Sequence, residues 1–352
     1  MDLVIKKISI LLYTVCCTFL CSAQNVDFCA YTINVSNIKT NNFEQKANHS
    51  KQVAWQDSTV RVMDKYRTVV NFSYNRDGLL INKKVSSSKD GEVYSVKFYY
   101  YSYIDNKCFK IVVEDGLKDE DSSKELRYYI YEGQRMTSSY IFFDYGRKKS
   151  LYSFNNYIYD SGGNLTDWYV YRQKRSDENL LVLKEQSHFT YNWNKQVATV
   201  TKTLRDMGAT DFIVYSYDKQ DRMNGMYDCR YAYAKLKGID DDFNFNYIRL
   251  DEGTKETSKY AHFLYYDSEG LLDAVNRRGD GERAIYKYDS KGRLVSMRLH
   301  HSSEVTIYYG RNSKTESLKY LELPVAQHNS LMTYNNKVFA YNPTLNIFIG
   351  DE

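Results

Sequence analysis

Apolar and polar residues alternate with a period of two along most of this chain, and short clusters of Asp, Asn, Gly and Ser interrupt the alternation at regular intervals. A period of two is the mark of strands with one buried face, and the clusters are turns. The pattern is sharpest at Tyr286-Lys-Tyr288-Asp289-Ser-Lys-Gly292-Arg293-Leu294. Tyr286 and Tyr288 project from one face of a strand, where aromatic rings pack against cross-strand neighbours. Asp289 takes the first position of a type I turn, and Gly292 the fourth, where a left-handed residue closes a bulged hairpin. Arg293, Leu294 and Val295 open the return strand.

Weaker copies recur along the chain. Full-length copies run over Phe72–Leu80 (with Tyr74 and Gly78), Tyr157–Leu165 (Tyr159, Asp160, Gly163) and Leu264–Leu272 (Tyr266, Asp267, Gly270). Three lack the glycine: Tyr101–Phe109, Phe189–Val197 and Tyr215–Met223, the last with Tyr217, Asp218 and Asp221. Asp221 tolerates positive φ, whereas Lys107 and Lys195 tolerate it less, so those two turns are expected to differ. Shorter variants at Tyr129–Met136, Phe243–Leu250 and Met332–Val338 fit two-residue turns. With a weak copy at Ile307–Tyr309, the key aromatics fall at 74, 103, 131, 159, 191, 217, 245, 266, 288, 309 and 334. Self-similarity at this period signals a stacked array. The expected fold is all-β: an elongated or curled antiparallel sheet of about eleven successive hairpins.

At these residues the chain resembles the YD-repeat (RHS-repeat) family, whose signature is Tyr-x-Tyr-Asp-x-x-Gly-Arg-Leu. The unit at 286–294 carries every fixed position. The resemblance implies a long sheet of successive hairpins, often curled into a spiral or shell, on secreted or surface-displayed bacterial proteins and animal adhesion receptors. This chain has fewer units than the shell-forming members and no long non-repetitive C-terminal cargo, so a closed cocoon around an effector is not expected.

Four segments follow. Residues 1–23 read as a secretory signal: Lys6 and Lys7, the apolar run Ile8 to Leu20, then Cys21-Ser22-Ala23 before the cut. The run is short for a bilayer span, so no transmembrane segment is expected after its removal. Residues 24–71 read as an N-terminal cap, 72–310 as the hairpin array, and 311–352 as the last weak repeat and a C-terminal cap. The segment 226–242 fits a short helix or a further strand.

Composition narrows the function. The net charge of +4 falls to +3 once Asp2, Lys6 and Lys7 leave with the signal, and basic runs are no longer than Arg147-Lys148-Lys149. That excludes a nucleic-acid footprint. Cys29, Cys108 and Cys229 leave two alternatives, one disulfide with a free thiol or three separate thiols. The six histidines form no metal motif, and Asp240-Asp241-Asp242 lacks calcium-loop spacing. No nucleophile elbow, P-loop or Cys–His pairing is present, so no cofactor and no enzymatic activity is expected. Arg278-Gly279-Asp280 sits where a hairpin turn itself favours Gly and Asp.

The 36 tyrosines, against 16 phenylalanines, carry the functional expectation. Tyrosine suits sheet building and also sugar or protein recognition. Motif tyrosines are assigned to the sheet, and the off-motif Tyr99, Tyr100, Tyr169 and Tyr171 to a solvent-facing surface. The chain therefore reads as an exported, non-enzymatic binding or scaffold module with a carbohydrate or a surface protein as partner. The alternatives are a polysaccharide-active enzyme with carboxylates on the sheet, and a structural spacer.

Overall fold

The computed structural model describes residues 32–38, 45–117, 123–146, 148–205, 209–228, 260–277, 283–299 and 303–310. The signal segment, Cys29, Cys229, the aspartates at 240–242, the tripeptide at 278–280 and the units at 245 and 334 lie outside them. Nineteen strands are present among the described residues, β1 being Thr32–Asn34 and β2 Trp55–Met63. Eight motif hairpins follow. These are β3 (Tyr66–Tyr74) with β4 (Leu80–Lys89), β5 (Glu92–Ile104) with β6 (Lys107–Asp115), β7 (Lys124–Glu132) with β8 (Arg135–Asp144), and β9 (Lys149–Tyr159) with β10 (Leu165–Lys174). Then come β11 (Asp177–Tyr191) with β12 (Val197–Leu204), β13 (Ala209–Tyr217) with β14 (Met223–Asp228), β15 (Tyr260–Tyr266) with β16 (Leu272–Arg277), and β17 (Arg283–Tyr288) with β18 (Leu294–Leu299). The last described strand is β19 (Ser303–Tyr308).

Each motif position has a physical task. The Asp289 carbonyl accepts the Gly292 N–H at 2.9 Å, closing the turn, and Gly292 adopts φ +71°. The Asp289 carboxylate accepts from the N–H groups of Lys291 and Arg293 at 2.9 and 3.0 Å, and from Arg293 Nε at 2.8 Å. Burial opposes ionisation of Asp289, yet these donors hold its carboxyl below the ordinary aspartate value. The Arg293 guanidinium lies 4.3 Å from the centre of the Tyr309 ring of the next unit, and the Tyr309 hydroxyl donates to the Leu294 carbonyl at 2.7 Å. Tyr, Asp, Gly, Arg and Leu thus interlock one hairpin with the next. The Asp218, Arg222, Tyr266 and Met223 set repeats this arrangement.

The hydroxyl contact propagates as a ladder. Tyr103, Tyr131, Tyr159, Tyr191, Tyr217, Tyr266, Tyr288 and Tyr309 each donate to the backbone carbonyl that opens the preceding hairpin's second strand, at 2.6–3.0 Å. Desolvation raises the phenol pKa of Tyr266 to about 12, so the ladder hydroxyl keeps its proton. Lys107 opens β6 just after a two-residue turn through Asp105 and Asn106, unlike the longer turn at Gly292, as expected. Lys195 does not differ: it adopts φ +60° and the turn found at Gly292, because Asn192 accepts the N–H groups of Asn194 and Gln196 and fixes the loop around it.

The array is not an open elongated or curled sheet. β19 pairs antiparallel with β2 through Glu304↔Val62 to Tyr308↔Ser58, so β2 to β19 form a closed barrel of eighteen strands. The reason is local. Tyr309 completes the first half of a ninth unit, and β2 supplies the missing second strand. Residues 55–71, within the segment read as a cap, are therefore wall.

One apolar cluster touches all these strands, from Trp55 and Phe72 through Met136 and Val200 to Met297 and Ile307. Its face is the concave one, since the opposite face of β15 to β19 leaves Tyr265, Lys287, Arg298 and Tyr308 in water. A second cluster lies on the convex face of β7 to β11, built from Leu126, Tyr128, Tyr140, Phe142, Phe154, Tyr169, Tyr171 and Leu181. Ile33 of β1 and Ile38 cover it, with β1 paired to β11 at Leu180–Val182.

The segment leading into β2 is clamped to the motif end of the barrel. Asn48 Nδ2 donates to the Asp105 carboxylate while its Oδ1 accepts the Asp105 backbone N–H, and His49 Nδ1 accepts the Tyr103 N–H at 3.1 Å. His49 must be neutral to accept. Burial lowers its pKa below 6.5, aided by Lys51 and opposed by the neighbouring Tyr103 and Tyr101 backbone and by Asp77. The sign follows: the clamp's contribution is complete above pH 6.5 and declines as pH falls from 6.5 through the lowered value. His188 has the opposite sign, because its hydrogen bond to Asp167 raises its pKa. Melting curves between pH 7.5 and 5 should therefore fall more steeply for the native chain than for His49→Asn, which retains an acceptor that does not titrate; parallel curves would remove His49 from the linkage.

Candidate functional site

The structure separates the four off-motif tyrosines. Tyr99 faces the concave side, buried, with Lys83 Nζ 3.9 Å from its ring centre. Tyr169 and Tyr171 face outward as strand parity requires, but they are 8% and 0% exposed because the β1 segment covers their cluster. Their assignment to a solvent-facing surface is corrected. Tyr100 alone is open, at 39%.

Tyr100 anchors an outward strip on β4, β5 and β6. Phe98 and Tyr100 are two residues apart and share a face. Their rings are nearly parallel, at 17°, with centres 6.4 Å apart, and Tyr94 stands 57% exposed further along β5. The register places Asn82 and Val112 on either side of Tyr100, and Lys84 and Glu114 on either side of Phe98. Glu114 forms an ion pair with Lys124 at 2.8 Å. Burial and Glu114 raise the Tyr100 pKa, with Lys124 opposing, so the phenol is a neutral donor. Gly116 supports the strip from below: a Cβ there would stand 2.6 Å from Phe98 Cε2 and 2.9 Å from Val96 Cγ1. The backbone can lie against Phe98 and fix its ring only because position 116 has no side chain.

The concave face is chemically different. Beyond its aromatic belt, Glu125 pairs with Arg127 at 2.5 Å and Glu185 with Lys202 at 2.8 Å, all four side chains keeping 16–24% exposure. These carboxylates are already engaged by cations. The one described cysteine side chain, Cys108, is buried, and desolvation raises its pKa to about 12, which leaves an unreactive thiol. Among the described residues no group of three or more His, Cys, Asp or Glu could hold a metal ion, and no helix is long and apolar enough to cross a membrane.

Sequence reasoning missed Trp193, which is fully exposed at the tip of the Asn192–Lys195 turn. An indole at a turn position held elsewhere by Ser290 or Lys219 was the available signal. It makes no ring contact among the described residues and stands apart from the β5 strip.

No family model matches the chain, and no curated protein is similar to it in sequence. Among solved structures it is similar to a porin-like protein from Bacteroides uniformis, with TM-score 0.38 and 8% identity, covering 72% of this chain and 96% of that one. A porin-like protein from Bacteroides vulgatus gives TM-score 0.24 and 11% identity over 72% of this chain and 97% of that one. The Photorhabdus luminescens Tc holotoxin pore gives TM-score 0.29 and 13% identity over 69% of this chain but 15% of that one. At these TM-scores they are resemblances of shape only.

Proposed function

We propose that this chain is an exported, water-soluble, non-enzymatic binding module of the YD-repeat type that recognises carbohydrate through the outward strip of β4 to β6. The observation that carries the reading is the Phe98 and Tyr100 pair. Most aromatic side chains near it are buried in one of the two apolar clusters, whereas Tyr100 is open and Phe98 only half-buried, with Asn82 alongside and a neutral phenol as donor. Flat rings with flanking amide and hydroxyl groups suit the apolar face and hydroxyl rim of a sugar.

The outer wall supports a soluble module over a pore. On β17 to β19 it presents Lys287, Arg298 and Glu304 exposed, and charged side chains on a lipid-facing wall are costly. The YD-repeat assignment is supported by the task each motif residue performs in the ladder.

Affinity electrophoresis of the purified chain through gels containing a panel of polysaccharides tests the reading, with a parallel assay for released reducing ends. Retardation without product is expected, lost in Tyr100→Ala, a substitution at an exposed site that leaves melting nearly unchanged. Release of reducing ends would establish an enzyme instead. Retardation unaffected by Tyr100→Ala would move the site elsewhere.

A further inference from the structure

The charges around the strip are unbalanced. Lys84 on β4 is the cross-strand neighbour of Phe98, and Lys110 on β6 is the neighbour of Ser102, two residues beyond Tyr100. The two lysines therefore lie diagonally on opposite sides of the Tyr100 ring, on the same outward face. Neither ammonium has a carboxylate partner among the described residues: Lys84 Nζ lies 5.4 Å from the Phe98 ring centre, and Lys110 Nζ lies 5.3 Å from that of Tyr128. The nearby carboxylate, Glu114, is held by a third lysine, Lys124, at 2.8 Å, so that pair contributes no net charge. What remains is an aromatic platform with two uncompensated cations across it.

We infer that the ligand of this strip is an acidic polysaccharide, a chain of sugar rings bearing carboxylate or sulfate groups. This inference rests on the carbohydrate reading above and specifies its chemistry. The rings of Phe98 and Tyr100 take the apolar faces of successive sugars. Lys84 and Lys110 take anionic groups on either side of the chain axis, which fixes its path obliquely across β4, β5 and β6. Ammonium groups resting on aromatic faces are kept at the platform rather than extended into solvent, and a long anionic chain spans both at once. A neutral polysaccharide would leave both cations without partners, and a protein partner would bury them at a cost in desolvation.

The test compares gels containing polygalacturonate, a neutral galactan or polyglutamate, at low and raised salt, for the native chain, Lys84→Gln with Lys110→Gln, and Tyr100→Ala. The inference expects strong retardation by polygalacturonate, weakened about tenfold by the double lysine substitution and by raised salt, and abolished by Tyr100→Ala. Little retardation by galactan or polyglutamate is expected. Equal retardation by galactan with no effect of the lysine substitutions would overturn the acidic ligand while leaving the carbohydrate site standing. Equal retardation by polyglutamate would reduce the effect to unspecific charge and overturn the inference. No retardation in any gel would overturn both readings. Melting curves of the variants serve as folding controls, since all three positions lie on the outer surface.

Discussion

Gly310→Ala is expected to destabilise the barrel by about 2–3 kcal/mol, the upper range for inserting a carbon into a packed site, and to loosen β19 from β2. Gly310 sits at the seam where the two ends of the described barrel meet. A Cβ there would stand 2.2 Å from the Gln56 carbonyl oxygen, a backbone atom that cannot rotate away, and 3.2 Å from its carbon. Nor can Gly310 retreat freely, because its N–H donates to Asp57 at 2.8 Å and Asp57 is itself buried. A protein of this size should lose roughly 5 °C in melting temperature. Proteolysis under native conditions should shift to the β2 and β19 strands. An alanine variant that melts with the native chain would mean that the seam is not packed as described.

The ladder gives the second large effect. Tyr103 is fully buried, its hydroxyl donates to the Leu80 carbonyl at 2.8 Å, and its ring meets His49 edge-on with centres 5.1 Å apart. Tyr103→Ala should cost about 3–5 kcal/mol, as for other large buried rings. Tyr103→Phe removes only the hydroxyl and should cost about 1 kcal/mol, the net worth of one hydrogen bond. Denaturant titrations of the two variants separate packing from hydrogen bonding. Equal costs for the pair would assign the tyrosine's whole contribution to the hydroxyl and discard the ring-packing account. A phenylalanine variant as stable as the native chain would show that the ladder bonds add nothing beyond their exchange with water.

The units were legible in the sequence because each is satisfied locally. Asp289, Gly292 and Arg293 complete their turn within a few residues, and alternation sets Tyr286 and Tyr288 on one face. Lys195 was harder to place, since propensity argues against positive φ there and the Asn192 side chain, which accepts the N–H groups of Asn194 and Gln196 on either side, outweighs it. Closure was not legible. β2 carries no copy of the motif, and its pairing with β19 joins residues at opposite ends of the chain, a contact that alternation cannot encode. The same limit applied to the site. Parity put Tyr99 and Tyr100 on opposite faces but not which face is concave, and it could not show that Ile33 and Ile38 would cover the cluster that holds Tyr169.

The central claim is that the chain closes on itself, and a cysteine pair across the seam tests it most directly. Val60 and Thr306 are antiparallel partners on β2 and β19, and such partners lie within the Cα separation that a disulfide spans. In a chain carrying Val60→Cys and Thr306→Cys, mild oxidation followed by peptide mapping should recover one linked peptide containing both positions, and the linked protein should melt higher than its reduced form. Failure to link, while a control pair within one hairpin such as Tyr286→Cys and Met297→Cys oxidises fully, would contradict a closed barrel and return the array to an open sheet.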